Sequence, residues 1–258
     1  MPPRGRIHEQ ALIGFQRAAD AYDRGRPDYP ADAVEHLLRV LKIGPGTRVV
    51  ELGAGTGKFT KALQASGAEV IAVEPVEAMR RKLGELLPAV KGVDGTAEAI
   101  PLAECTVDAV VAAQAFHWFR AEEAVAEIHR VLKARGGLGL IWNARDESRP
   151  WGRELTRIIE AHEGSTPRYK SFAWRAAFDT GQHFSPLQKT EFPHVQTMSR
   201  EALEDRVGSI SFIAALPDAE RESVLAQVRE LVRREMGNRA ESKISLPYRT
   251  DVYTCWRI

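Results

Sequence analysis

The stretch "VVELGAGTGKF", Val49–Phe59, joins an apolar run to an acid and then to three glycines at alternate positions. Glycine loses more backbone freedom on folding than any other residue, so three within five positions need a cause. Either the backbone turns where a side chain would clash, or a ligand presses on bare backbone. The spacing narrows the ligand. A dinucleotide fingerprint reads G-x-G-x-x-G, and counted from Gly53 its third glycine would fall at Lys58. The pattern here is E-x-G-x-G-x-G, so a nicotinamide dehydrogenase is not expected.

Working outward, "TRVVEL" reads as a short buried strand entering the glycines. Before it, residues 31–42 carry Val34, Leu37, Leu38 and Leu41 at helical spacing, stopped by "IGPG". After it, a helical pattern starts at Lys58, with Gly67 placed as its C-terminal cap. "AEVIAVEP" is a second strand, Glu77–Leu87 a helix stopped by Pro88, and "AVKGVDG" a short third strand. "TVDAVVAAQAF" is a fourth strand, Ala121–Leu132 an amphipathic helix, and "GGLGLIWN" a fifth strand. Strand and helix thus alternate from Thr47 to Trp142, which argues for an α/β fold with right-handed crossovers. Ligands in such sheets bind beyond the C-terminal ends of the strands, where the glycines lie. From Arg145 the rhythm breaks. "LQKTEFPHVQTM" predicts a strand, and "ISLPYRTDVYTCWRI" predicts a final one. "SREALEDRVGSISFIAAL" predicts one helix capped by Ser199, and "DAERESVLAQVRELVRREM" another.

The expected architecture is a Rossmann-like, doubly wound, mostly parallel seven-stranded sheet with helices on both faces and a helical cap. It forms one domain over 1–258: a lid at 1–30, a core at 31–145, a cap insertion at 146–244 with one strand, and a final strand at 245–258. A net charge of +1 gives no global field toward nucleic acid or membrane. No stretch approaches the ~20 apolar residues of a membrane span, and the first residues show no signal-peptide core. Cys105 and Cys255 are too few for a disulfide framework and read as small buried residues in a cytoplasmic protein. The seven histidines show no paired ligand spacing, so no metal is expected. Arg229, Arg233 and Arg234 alternate with Glu230 and Glu235 as a solvated helix face.

The glycine pattern resembles motif I of the class I S-adenosylmethionine-dependent methyltransferases. "DGTAEAIPL", Asp94–Leu102, is similar to the stretch that surrounds the adenine in that family, with Thr96 where an Asp is usual. "VVAAQAFHWF" is similar to the end of its fourth strand, and "EIHRVLKARGGLGLIW" to its later helix–loop–strand, with Ala134 and Arg135 replacing Pro-Gly. "AYDRGRPDYP", "FHWF" and "YRTDVY" resemble the branch that includes trans-aconitate methyltransferase and bacterial small-molecule methyltransferases.

The resemblance implies S-adenosylmethionine as cofactor. Glu51, Gly53, Ala54, Gly55 and Gly57 would hold its methionine end, Glu74 and Pro75 its ribose, and Thr96, Ala97 and Glu98 its adenine edge. Gln114, Ala115 and Phe116 would lie near the sulfonium. Tyr22 and Arg26, in the lid, either pack over the cofactor or only join lid to sheet. His117 is the first choice for a general base, with a merely packed imidazole as the alternative. Trp118, Trp142 and Arg145 are candidate substrate contacts, although such tryptophans more often serve as core or rim aromatics. The implied activity is methyl transfer to a small molecule, on a carboxylate or hydroxyl, by a monomer or homodimer without nucleic-acid or membrane partners. The alternative is a non-catalytic cofactor-binding module acting through a protein partner, which would expose a contiguous apolar patch.

Overall fold

The computed structural model describes residues 27–236 and 243–258. The first half alternates as its sequence predicts: α1 (Ala31–Val40), β1 (Arg48–Leu52), α2 (Thr60–Ala65), β2 (Glu69–Val73), α3 (Glu77–Leu86), β3 (Lys91–Val93), β4 (Val107–Ala113), α4 (Ala121–Val131) and β5 (Leu132–Arg145). The second half adds α5 (Pro150–Glu160), α6 (Ala176–Asp179), β6 (Gln188–Met198), α7 (Arg200–Gly208), α8 (Ser211–Ala214), α9 (Asp218–Met236) and β7 (Ile244–Trp256). Together the strands make a seven-stranded sheet in the order β3-β2-β1-β4-β5-β7-β6. β3, β2, β1, β4 and β5 run parallel, while β7 pairs antiparallel with both β5 and β6. The Rossmann-like, mostly parallel sheet is therefore as expected.

Side chains alternate faces along a strand, and here both faces are covered. Val50, Leu52, Ile71, Val73, Val110, Ala112, Leu138 and Leu140 pack on one side with Val125, Ile128 and Val131 of α4. Val49, Ala72, Ala109, Val111 and Ile141 pack on the other with Leu37 of α1, Leu63 of α2 and Leu83 of α3. Strands buried on both faces read as continuous apolar runs, which is why β1, β2 and β4 are legible in sequence. The docking of α1 depends on Gly139, where a Cβ would come within 2.8 Å of Leu41 Cδ1 and 3.1 Å of Leu37 Cδ1.

A third apolar cluster lies under the helices of the second half. It joins Leu155 and Ile159 of α5, Leu203 and Val207 of α7, Ile213 of α8 and Val224, Val228 and Leu231 of α9 to Ile244 and Leu246 of β7. Ser199 caps α7 by accepting from the Ala202 amide at 3.2 Å. The single helix expected after that cap is instead two. Ser209 turns its hydroxyl back onto the Arg206 carbonyl at 3.0 Å, a local bond that competes with helix continuation. One cysteine also departs from expectation: Cys255 is buried but Cys105 is exposed, in a turn with φ +53°. Among the described residues no helix is long and apolar enough to cross a membrane. Among the same residues no cluster of three or more His, Cys, Asp or Glu side chains is placed to hold a metal.

Candidate functional site

β1 delivers the chain to the C-terminal edge of the sheet at Leu52, and the glycines begin there. The Gly53 and Ala54 amides both donate to the Val73 carbonyl, at 2.8 and 3.2 Å, which ties the loop to the end of β2. Gly53 has φ +67°, and a Cβ on it would meet the Ala115 Cβ at 2.7 Å. Gly55 has φ +59°, and no described residue lies within 4 Å of where its Cβ would be. The two glycines therefore serve different ends: Gly53 is needed for a close approach, and Gly55 presents backbone over which no described side chain packs.

Two buried carboxyl groups stand behind this loop. Glu74, 5% exposed, accepts from the Gly55 amide with Oε2 and from the Val76 amide with Oε1, each at 2.8 Å. Glu51, 1% exposed, accepts from the Thr60 hydroxyl at 2.5 Å. Burial pushes the Glu51 carboxyl up to about 8, against the Thr60 bond and with some help from Glu74. Burial likewise pushes Glu74 up to about 7, against the two amide bonds and Arg80. In front of the loop is a cleft of about 410 Å³ including its mouth. Its lining includes Tyr29, Glu51, Gly55, Lys58 and Gln114.

A second cavity, about 920 Å³ with its mouth, opens between the sheet edge and the helices of the second half. Gln114 lines this one too, so among the described residues it borders both spaces. Its backbone has φ +57°, a region that non-glycine residues rarely enter. The conformation is held by two partners: its amide donates to the Ile141 carbonyl at 2.9 Å and its side-chain nitrogen to the Asn143 carbonyl at 3.1 Å, while the Asn143 side chain in turn accepts from the Thr250 hydroxyl at 2.6 Å. His117 also lines the cavity, and its Nδ1 accepts from the Trp142 indole at 3.2 Å. Behind them Trp142 stacks on Tyr169, with ring centroids 4.6 Å apart. The Tyr169 hydroxyl reaches Asp251 and, at 2.9 Å, the Tyr253 hydroxyl.

A family model described as a methyltransferase domain matches residues 50–140. An uncharacterized methyltransferase-like protein of Schizosaccharomyces pombe is 37% identical over 94% of this chain and 95% of its own length. The chain belongs to the class I S-adenosylmethionine-dependent methyltransferases. An uncharacterized methyltransferase of Mycobacterium tuberculosis is 37% identical over 92% of this methyltransferase and 93% of its own length. The solved YcgJ protein from Bacillus subtilis shares the fold, with a TM-score of 0.57 at 19% identity over 88% of this chain and 98% of that one. The cofactor of the methyltransferase is S-adenosylmethionine.

The methyltransferase brings Glu51, Gly53, Ala54, Gly55 and Gln114 together around the loop cleft, but not every residue that its sequence nominates. Glu74 and Pro75 do not line the cleft; the Glu74 carboxylate is turned onto loop amides, with acceptor capacity left on each oxygen. Ala97 is 3% exposed and packs in the core, Thr96 Oγ1 is buried with no partner among the described residues, and Glu98 accepts from the Arg120 amide at 2.8 Å. Phe116 is a correction: it is fully buried among Phe119, Trp174 and Phe178, because the turn after β4 points it into the core. Trp142 takes the core reading: it is fully buried, and it meets the cavity lining through His117 and Tyr169. Trp118 and Arg145 do line the cavity. Tyr22 and Arg26 lie outside the described residues. Sequence reasoning missed Lys58 in the cleft, and Asn143 and Arg206 in the cavity. Only Lys58 sits inside a motif that could have pointed to it.

Proposed function

We propose that this protein transfers a methyl group from S-adenosylmethionine to a small molecule held in the larger cavity, onto an oxygen of a carboxylate or hydroxyl. The observation that carries this reading is Gln114, which borders both the glycine-loop cleft and that cavity. The residues present suit the cofactor: the open backbone at Gly55 offers a seat that a Cβ would fill, and Glu51 and Glu74 supply buried acceptors beside it. Gly53, Ala54, Gly55 and Gly57 would carry the methionine end, and Glu74 would fix the loop while accepting from the ribose. When bound, the cofactor supplies a methyl group already activated by its positive sulfur.

The remaining work of this chain is alignment and water exclusion, and positioning alone can lower the barrier of such a displacement substantially. His117 suits that task better than proton removal. With Nδ1 accepting from Trp142, the neutral ring carries its proton on Nε2 and offers a donor to the acceptor molecule. A carboxylate acceptor is already ionised and needs no base.

The test is calorimetric titration of the full chain with S-adenosylhomocysteine beside Gly55→Val. Binding near micromolar in the natural protein and its loss in the variant are expected, with the variant's far-UV spectrum retained. A folded natural protein that takes up no S-adenosylhomocysteine would sink the proposal.

A further inference from the structure

The walls of the larger cavity are charged in an unbalanced way. Arg145, Arg168, Lys170 and Arg206 line it, against Glu147 and Glu160. Lys170 is paired with Glu160, and Glu147 is exposed. Among the described residues the three arginines have weak charged partners or none. Arg145, with 12% of its side chain exposed, donates from Nε to the Thr156 hydroxyl at 3.1 Å, but its terminal nitrogen is 3.9 Å from Glu160. Arg168 is 3.9 Å from Glu163, with its guanidinium 5.2 Å above the Phe212 ring. Arg206 is 6% exposed, and its Nε and one terminal nitrogen are buried with no hydrogen-bond partner among the described residues.

A buried guanidinium without a counterion is costly, and a cluster of them costs more. The electrostatics agree: the Arg145 guanidinium is pushed down to about 10, first by burial and then by Arg206, with Arg168 adding to it. Native proteins pair their buried charges. Here the natural partner is an anion, and guanidinium groups grip planar carboxylates and phosphates through paired donors.

We propose that the molecule methylated by this protein carries an anionic group, a carboxylate or a phosphate, other than the oxygen that receives the methyl. Arg206 of α7 grips that group together with Arg145 and Arg168, while Gln114 and His117 on the sheet side face the reacting end. The proposal rests on the methyl-transfer reading only in calling this molecule the acceptor; the anion site itself stands on the arginines.

The experiment is calorimetric titration of the full chain with glutarate, phosphate, sulfate and, as a neutral control, glutaramide. It is run on the natural protein, Arg206→Met, Arg206→Lys and Arg168→Gln, each checked in parallel for S-adenosylhomocysteine binding. At least one anion is expected to bind tenfold or more tightly than glutaramide. Arg206→Met should lose tenfold or more of that affinity and Arg206→Lys should recover part of it, with S-adenosylhomocysteine affinity within twofold throughout. Which anion binds best separates a carboxylate group from a phosphate. No preference for any anion over glutaramide overturns the proposal, as does undiminished anion binding by Arg206→Met. Should Arg206→Met fail to fold, undiminished binding by Arg168→Gln overturns it instead. Anion binding without S-adenosylhomocysteine binding in the natural protein would keep the site and remove the methyltransferase role from it.

Discussion

Glu51 and Glu74 tie the pH dependence of stability to the site. Both titrate higher in the folded protein than in the unfolded chain, where a glutamate titrates near 4.5. An acid raised in this way stabilises the fold fully below about 4.5, and that contribution is lost as pH rises through 7 and 8. Glu51→Gln keeps an acceptor for Thr60 and removes the titration. We expect its melting temperature to fall less than the natural protein's between pH 5 and pH 9, with a difference on the order of 3 kcal/mol at the alkaline end. Parallel curves across that range would show that Glu51 is not desolvated as described. His117→Ala should lower turnover by up to about tenfold and leave the shape of the pH–rate profile unchanged from pH 6 to 9, as befits a donor. Loss of one limb of that profile would restore the base. At this scale the glycine loop was legible because its signal is local: three glycines at fixed spacing specify a backbone path. Phe116 and Trp142 were not, because which way they point depends on the sheet to which they belong.

Among the elements, strands buried on both faces and helices with a clear apolar stripe announced themselves. The pair α7 and α8 did not, since Leu203, Val207, Ile210 and Ile213 keep helical spacing straight through the break at Ser209. Arg206 was illegible for the same reason. In "EDRVG" it reads as a surface charge, and only the packing of α7 against its neighbours buries it. Ser199→Ala should destabilise the protein by about 1 kcal/mol through loss of the α7 cap, which a denaturant titration would measure; no change would mean that α7 is held by packing alone. Tyr169→Phe keeps the ring on Trp142 and removes the hydroxyl that Asp251 accepts from. Asp251 retains Arg249 at 2.8 Å and Lys189 at 3.3 Å. The loss should therefore stay near 1–3 kcal/mol, with KM for the acceptor rising more than turnover falls, because Tyr169 walls the cavity.

Across the whole molecule, stability divides by layer. The parallel strands are sealed on both faces, whereas the helices over the larger cavity rest on a separate apolar cluster. Hydrogen exchange should accordingly find the amides of β1, β4 and β5 opening only with global unfolding, and those of α7 and α9 opening more readily. Equal protection throughout would contradict that division. S-adenosylhomocysteine should add protection at residues 53–57 before it does so anywhere in α7.

The position of β7 has a consequence for how the protein is made. β7 sits between β5 and β6 in the sheet but follows both in the chain. A ribosome releases β5 and β6 first, so while residues 199–243 are being made β5 has a bare edge and β6 has no neighbour. Bare edges invite pairing with other chains. The charged and proline-bearing sequence of β6, "QKTEFPHVQTM", is suited to that interval, keeping the newborn strand solvated until its partner arrives.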